Sequence, residues 1–208
     1  MTEHVILLHG LWMRSFTLTM LRRRLERAGY AVDVFDYASV MRDTELSTAQ
    51  LLKRAHALSG DKVHFVGHSL GGLIALQALK HPRDFEVGRI VCLGSPLRGS
   101  AVARSVAGLP GGSYLVGKSA DLLRSGMARW SAPPAVGAIA GRLPLGVGFV
   151  VGSLASPNDG TVSVAETQLP GLTDHCIVPA THIGLVFSDE AANQTVSFLR
   201  TERFSHPA

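Results

Sequence analysis

The chain has 208 residues, 46% of them hydrophobic and 17% charged, with a formal net charge of +4. That is enough apolar material to close one core, so a single domain over 1–208 is expected. Gly, Pro or charge interrupts every apolar run before it could cross a bilayer as a helix, which excludes a membrane span. The basic residues cluster only at Arg22-Arg23-Arg24 with Arg27, without the aromatic or Gly-basic interleaving of a nucleic-acid surface, so no nucleic-acid partner is expected.

The opening residues, Met1-Thr2-Glu3-His4, lead straight into the apolar run Val5-Ile6-Leu7-Leu8, which is too short for the core of a signal peptide and has no basic leader. A helix pattern over about 14–28 follows, with Leu18, Leu21, Leu25 and Ala28 on one face. Next come a strand at Ala31 to Phe35, a helix at about Leu46 to Leu58, a strand at Val63 to Val66 and a helix at Leu70 to Lys80. Strands are then read at Ile90 to Leu93, around Val147 to Val151 and at Cys176 to Val178, before a closing helix at Ser188 to about Arg200. Strands apolar on both faces and separated by helices predict an α/β fold: a doubly wound, mostly parallel sheet of about six strands, with helices on both faces.

One stretch breaks the rhythm. From about 100 to 146 no strand is expected, yet Leu115, Leu122, Leu123, Met127 and Trp130 recur at helical spacing. This reads as a helical cap inserted after a strand's carboxyl end, where it would lie over the ligand crevice of an open α/β sheet, either as a lid or as an extra pair of packing helices. Cys92 and Cys176 both sit inside apolar β-like runs, so they are expected as buried free thiols in a reducing compartment, the cytoplasm.

The chemistry concentrates at Val63-His64-Phe65-Val66-Gly67-His68-Ser69-Leu70-Gly71-Gly72: a strand, a tight turn and a helix start, with Ser69 at the apex of G-x-S-x-G. A nucleophile lifted clear of a sheet needs a strained backbone and close approach of neighbouring segments, which Gly67 and Gly71 permit because they carry no Cβ. The helix beginning at Leu70 aims its positive end at the reacting centre, where an oxyanion would form. These glycines match neither phosphate-loop spacing, neither cysteine has a metal-ligand spacing and no metal site is visible, so neither a cofactor nor a metal is expected.

GHSLGG, preceded by LLHGLW and followed by GSPLRGS, resembles the lipase and esterase branch of the α/β hydrolases, and the likeness covers most of the chain outside the cap. The resemblance implies an oxyanion loop opened by His9-Gly10, with the backbone N–H groups of Leu11 and Leu70 as its donors. It also brings Trp12 and His9 forward as candidate substrate-binding residues, although Trp12 could equally fill the core and His9 serve as a packing residue.

Direction along the sheet selects the base, because Ser69 stands at the carboxyl ends of the strands. His4, His64 and His175 lie before or within strands, His56 and His81 belong to helices, and His206 is in the tail. That leaves His9, His68 and His182. His9 suits a packing or supporting role better than that of a base, His68 is tied beside the nucleophile and expected to point elsewhere, and His182, a few residues past the final strand, is the choice. The acid must lie between Ser69 and His182 in α/β-hydrolase order. Asp159, in Ser156-Pro157-Asn158-Asp159-Gly160-Thr161-Val162, meets that condition in a turn that can hold its carboxylate outward, and the segment resembles the family's Asp-Gly-x-Val acid loop.

The expected activity is carboxylic ester hydrolysis through Ser69, His182 and Asp159 by way of an acyl-enzyme, on a small-molecule or lipid acyl ester, with interfacial contact through the cap. Thioesterase, amidase and acyltransferase chemistry need the same three side chains, and a non-catalytic binding protein on the same fold is the alternative from another class.

Overall fold

The computed structural model describes residues 3–41, 43–58, 62–112, 117–146 and 154–206. Strands β1 (His4–Leu8), β2 (Ala31–Phe35), β3 (Val63–His68), β4 (Val87–Leu93), β5 (Val136–Gly141) and β6 (Asp174–Val178) form one sheet in the order β2-β1-β3-β4-β5-β6. Every neighbouring pair is parallel. The strands alternate with α1 (Thr19–Arg27), α2 (Thr44–His56), α3 (Leu70–Ala78), α4 (Ala101–Ala107), α5 (Ala120–Ser125), α6 (Val164–Thr167) and α7 (Asp189–Thr201).

Successive strand side chains point to opposite faces, and β1 divides accordingly. Val5 and Leu7 join Leu21 and Leu25 of α1 and Phe198 and Leu199 of α7 on one face. Ile6 and Leu8 join Leu51 of α2 and Leu73 and Leu76 of α3 on the other. All of these are at most 1% exposed, and burying each contributes about 1.5–3 kcal/mol. Arg22, Arg23 and Arg27 of α1 are exposed, Arg22 pairing with Glu26 one turn on, while the partly covered Arg24 pairs with Asp189 at the start of α7.

The fifth strand corrects the expected layout. It falls at Val136–Gly141, inside the stretch 100–146 read as a strand-free cap, and the run 147–151 read as that strand lies outside the described residues, as does Leu115. Small residues hid the strand, and packing demands them. A Cβ on Gly137 would stand 2.7 Å from the rings of Phe198 and Phe204, and one on Gly141 would stand 2.5 Å from the Ala180 carbonyl oxygen. Among the described residues, the helical excursion is therefore confined to α4, a 3-10 turn at Gly117–Ser119 and α5, between β4 and β5. It closes on the α2/α3 face, where Ala103, Leu123, Met127 and Trp130 join the core.

Candidate active site

The turn between β3 and α3 places Ser69 at φ 54°, ψ −120°, a conformation that costs a non-glycine residue about 1–3 kcal/mol unless its surroundings enforce it. Here they do. Ser69 N–H donates to the Leu93 carbonyl at the end of β4, 2.8 Å away. A Cβ on Gly67 would lie 2.3 Å from Gly72 N, and one on Gly71 would lie 2.6 Å from the Leu8 carbonyl oxygen of β1. Three backbone segments meet at van der Waals distance around the serine, and only glycine fits at both flanking positions.

Asp159 and His182 come together from different strand ends. The Asp159 turn lies against the carboxyl end of β5, where a Cβ on Gly141 would stand 2.8 Å from Asp159 Cβ. His182 follows β6 and opens a 3-10 turn at Ile183–Val186. Nδ1 of His182 is 2.7 Å from Oδ2 of Asp159. A carboxylate only accepts, so Nδ1 is the donor of this bond, an arrangement that in the neutral ring puts the lone pair on Nε2. The other carboxylate oxygen accepts the N–H groups of Thr161 at 2.9 Å and Val162 at 2.7 Å. These bonds satisfy the charge of a side chain that is 1% exposed.

Ser69, His182 and Leu11 all face one cavity of about 470 Å³. Val102, Ala103 and Val106 of α4 and Leu123 of α5 form one wall, while Trp12 and Ile183, both more than 60% exposed, stand at its mouth. The lining is mostly apolar, with polar side chains from His68, Ser69, Ser100, Thr161 and His182, the pattern of a site that holds an apolar ligand and orients it through a few polar atoms.

Leu70 is fully buried as the first residue of α3. His9 does not lie where a substrate-binding residue would: it is fully buried and absent from the cavity wall. Its ring stacks on Tyr37 with 4.4 Å between centroids, Nε2 lies 3.0 Å from Asp36 Oδ1, and its carbonyl accepts the Tyr37 hydroxyl at 2.7 Å. These contacts tie the loop after β1 to the end of β2, so His9 acts here as a packing residue.

His68 departs from the sequence reading in another way. Its Nε2–H donates to the His182 carbonyl at 2.9 Å, and the two rings lie 4.8 Å apart. No spacing in the sequence announces a contact across 114 positions. Burial, with the nearby His182 imidazole adding to it, pushes the His68 imidazole down to about 3, so it stays neutral.

Both cysteines are free and buried, and burial pushes each thiol up to about 12, far from the range of a reactive thiolate. Among the described residues, no three His, Cys, Asp or Glu side chains gather as a metal site, and no helix is long and apolar enough to cross a membrane.

Residues 5–192 match the family model described as the alpha/beta hydrolase family. No curated protein matches the chain. Among solved structures, the chain is similar to the lipase BlEst2 of Bacillus licheniformis in its propeptide form, with a TM-score of 0.74 at 19% identity, covering 100% of this chain and 52% of that one. The chain thus spans about half the length of that form. Against the mature form of the same lipase the TM-score is 0.69 at 19% identity, over 94% of this chain and 90% of that one. The esterase EaEST of Exiguobacterium antarcticum gives 0.61 at 15% identity, over 96% and 92%. At these identities the likeness is one of fold.

Proposed function

The chain belongs to the alpha/beta hydrolase family, and from that premise we propose that it is a serine hydrolase of carboxylic esters, with Ser69 as nucleophile, His182 as general base and Asp159 as orienting acid. The observation that carries this reading is the 2.7 Å pair of Asp159 and His182, which opens into the same apolar cavity as a serine held at positive φ.

In this mechanism the Nε2 lone pair of His182 takes the Ser69 proton as Oγ attacks the acyl carbon. The backbone N–H groups of Leu11 and Leu70 hold the developing oxyanion. His182 returns the proton to the departing alkoxide, and a water activated by the same imidazole cleaves the acyl-enzyme. Asp159 stabilises the imidazolium and keeps the ring in the productive tautomer.

The cavity supports an apolar acyl chain as the group bound, with α4 and α5 as the cap over it and Trp12 at its entrance. Phe16, Phe187 and Leu109, exposed on segments that leave the carboxyl ends of strands, support contact between this rim, cap included, and a lipid aggregate. Two buried free thiols suit a reducing compartment, the cytoplasm.

A fluorophosphonate probe tests the reading directly. It should label wild-type protein at Ser69 and leave Ser69→Ala unlabelled, and a p-nitrophenyl ester series should be hydrolysed with a preference set by acyl length. Folded wild-type protein that neither labels nor turns over any ester would reject it.

A further inference from the structure

His68 occupies a position that packing alone does not explain. Its side chain is 1% exposed, and its Nδ1 has no hydrogen-bond partner among the described residues. A buried, unpaired acceptor is costly, whereas Phe or Leu would fill similar volume without that cost. What the imidazole supplies is the other nitrogen. Nε2 must carry the proton to donate to the His182 carbonyl 2.9 Å away, and that assignment makes Nδ1 the acceptor.

The residue it holds is gripped from the other side as well, since the His182 N–H donates to the Asp159 carbonyl at 2.8 Å. Both peptide groups of His182 are therefore anchored, one to the acid turn and one to the residue preceding the nucleophile. The opposite edge of the His68 ring meets the loop after β1: a Cβ on Gly10 would stand 3.1 Å from Nδ1 and 3.0 Å from Ser69 Cβ. One neutral ring is wedged between the backbone of the base and the loop that carries Leu11, with Ser69 covalently next to it.

We propose that His68 is a positioning residue that sets the reach of His182 toward Ser69 through its Nε2–H bond to the His182 carbonyl. The inference rests on the Ser69–His182–Asp159 chemistry proposed above. It acts on the acyl-transfer step rather than on ester binding, so its loss should appear in kcat with KM little changed.

Three substitutions separate this from a structural role. The amide nitrogen of Gln reaches the level of imidazole Nε2, that of Asn stops at the level of Nδ1, and Leu has no donor. With p-nitrophenyl acetate, His68→Asn and His68→Leu should lose on the order of 10- to 100-fold in kcat. His68→Gln should recover most of the loss. The downfield proton resonance of the His182 Nδ1–H shared with Asp159 should broaden or shift in the Asn and Leu variants and return in the Gln variant. If the Leu variant does not fold, the Asn and Gln pair decides. Equal kcat for Asn and Gln, or a change confined to KM, overturns the inference while wild-type labelling at Ser69 leaves the hydrolase reading standing. A folded wild type without labelling or turnover overturns both.

Discussion

Asp159 grips His182 twice: its main-chain carbonyl accepts the His182 N–H at 2.8 Å, and its Oδ2 lies 2.7 Å from the ring Nδ1. The backbone link survives any substitution at the carboxylate, so the chemistry of the side chain can be varied with the geometry kept.

Asp159→Asn exploits that separation. The amide oxygen can keep the two bonds from Thr161 and Val162, which turns the NH₂ toward Nδ1 and forces the proton of His182 onto Nε2, the wrong tautomer for a base. We expect kcat to fall on the order of 10⁴-fold, with a thermal midpoint near that of wild type. A loss of less than about tenfold would remove Asp159 from the role of acid.

Ser69 carries backbone strain as well as the hydroxyl. Ser69→Gly should abolish turnover, with kcat lower on the order of 10⁵- to 10⁶-fold. The same change relieves the positive φ and should stabilise the protein by about 1 kcal/mol. Urea unfolding of the variant against wild type measures it, and a lower midpoint would show that the strain is not relieved by glycine.

Acid should destabilise the fold before carboxylates titrate. Burial, opposed in part by Glu3, pushes the His64 imidazole down to about 4, and burial aided by His182 takes that of His68 to about 3. Unfolded, both titrate near 6.5. The unfolded chain thus binds more protons below that pH, so stability is level above about pH 7 and falls as pH drops toward 4, by on the order of a few kcal/mol. Urea midpoints at pH 8, 6, 5 and 4 should trace that decline, and a flat profile would contradict it.

Phe16 and Phe187, 74% and 43% exposed and outside the cavity wall, separate interfacial contact from catalysis. Phe16→Asp with Phe187→Ser should hydrolyse dissolved p-nitrophenyl acetate at the wild-type rate. The same variant should lose most of its activity on an emulsified long-chain ester, because buried apolar area supplies the attachment. Equal activity of the two proteins on the emulsion would assign the rim no part in it.

What could be read in advance, and what could not, follows from where the information sits. The alternation of apolar strands and amphipathic helices is local, and it puts five strands and four helices close to where they stand. Ser69's turn is local too, since Gly67 and Gly71 flank it within two residues. β5 escaped because its glycines answer to Phe198, Phe204 and the Asp159 turn, which are distant in sequence, while its own Gly and Ala content argues against a strand. The acid turn lies against the end of β5, the strand that the sequence conceals. The bond from His68 to His182 has no local signature at all, because one partner's contribution is a main-chain carbonyl.

Among the described residues, β6 pairs with β5 alone in the sheet and leaves Ile177 43% exposed at the margin. The imidazole proposed to drive turnover is therefore mounted just past an outer plank of the platform, whereas the serine rises from a strand flanked on both sides. Fraying at that margin needs less free energy than melting the interior, so warming or dilute denaturant should silence the enzyme while its aromatic fluorescence still reports an intact core.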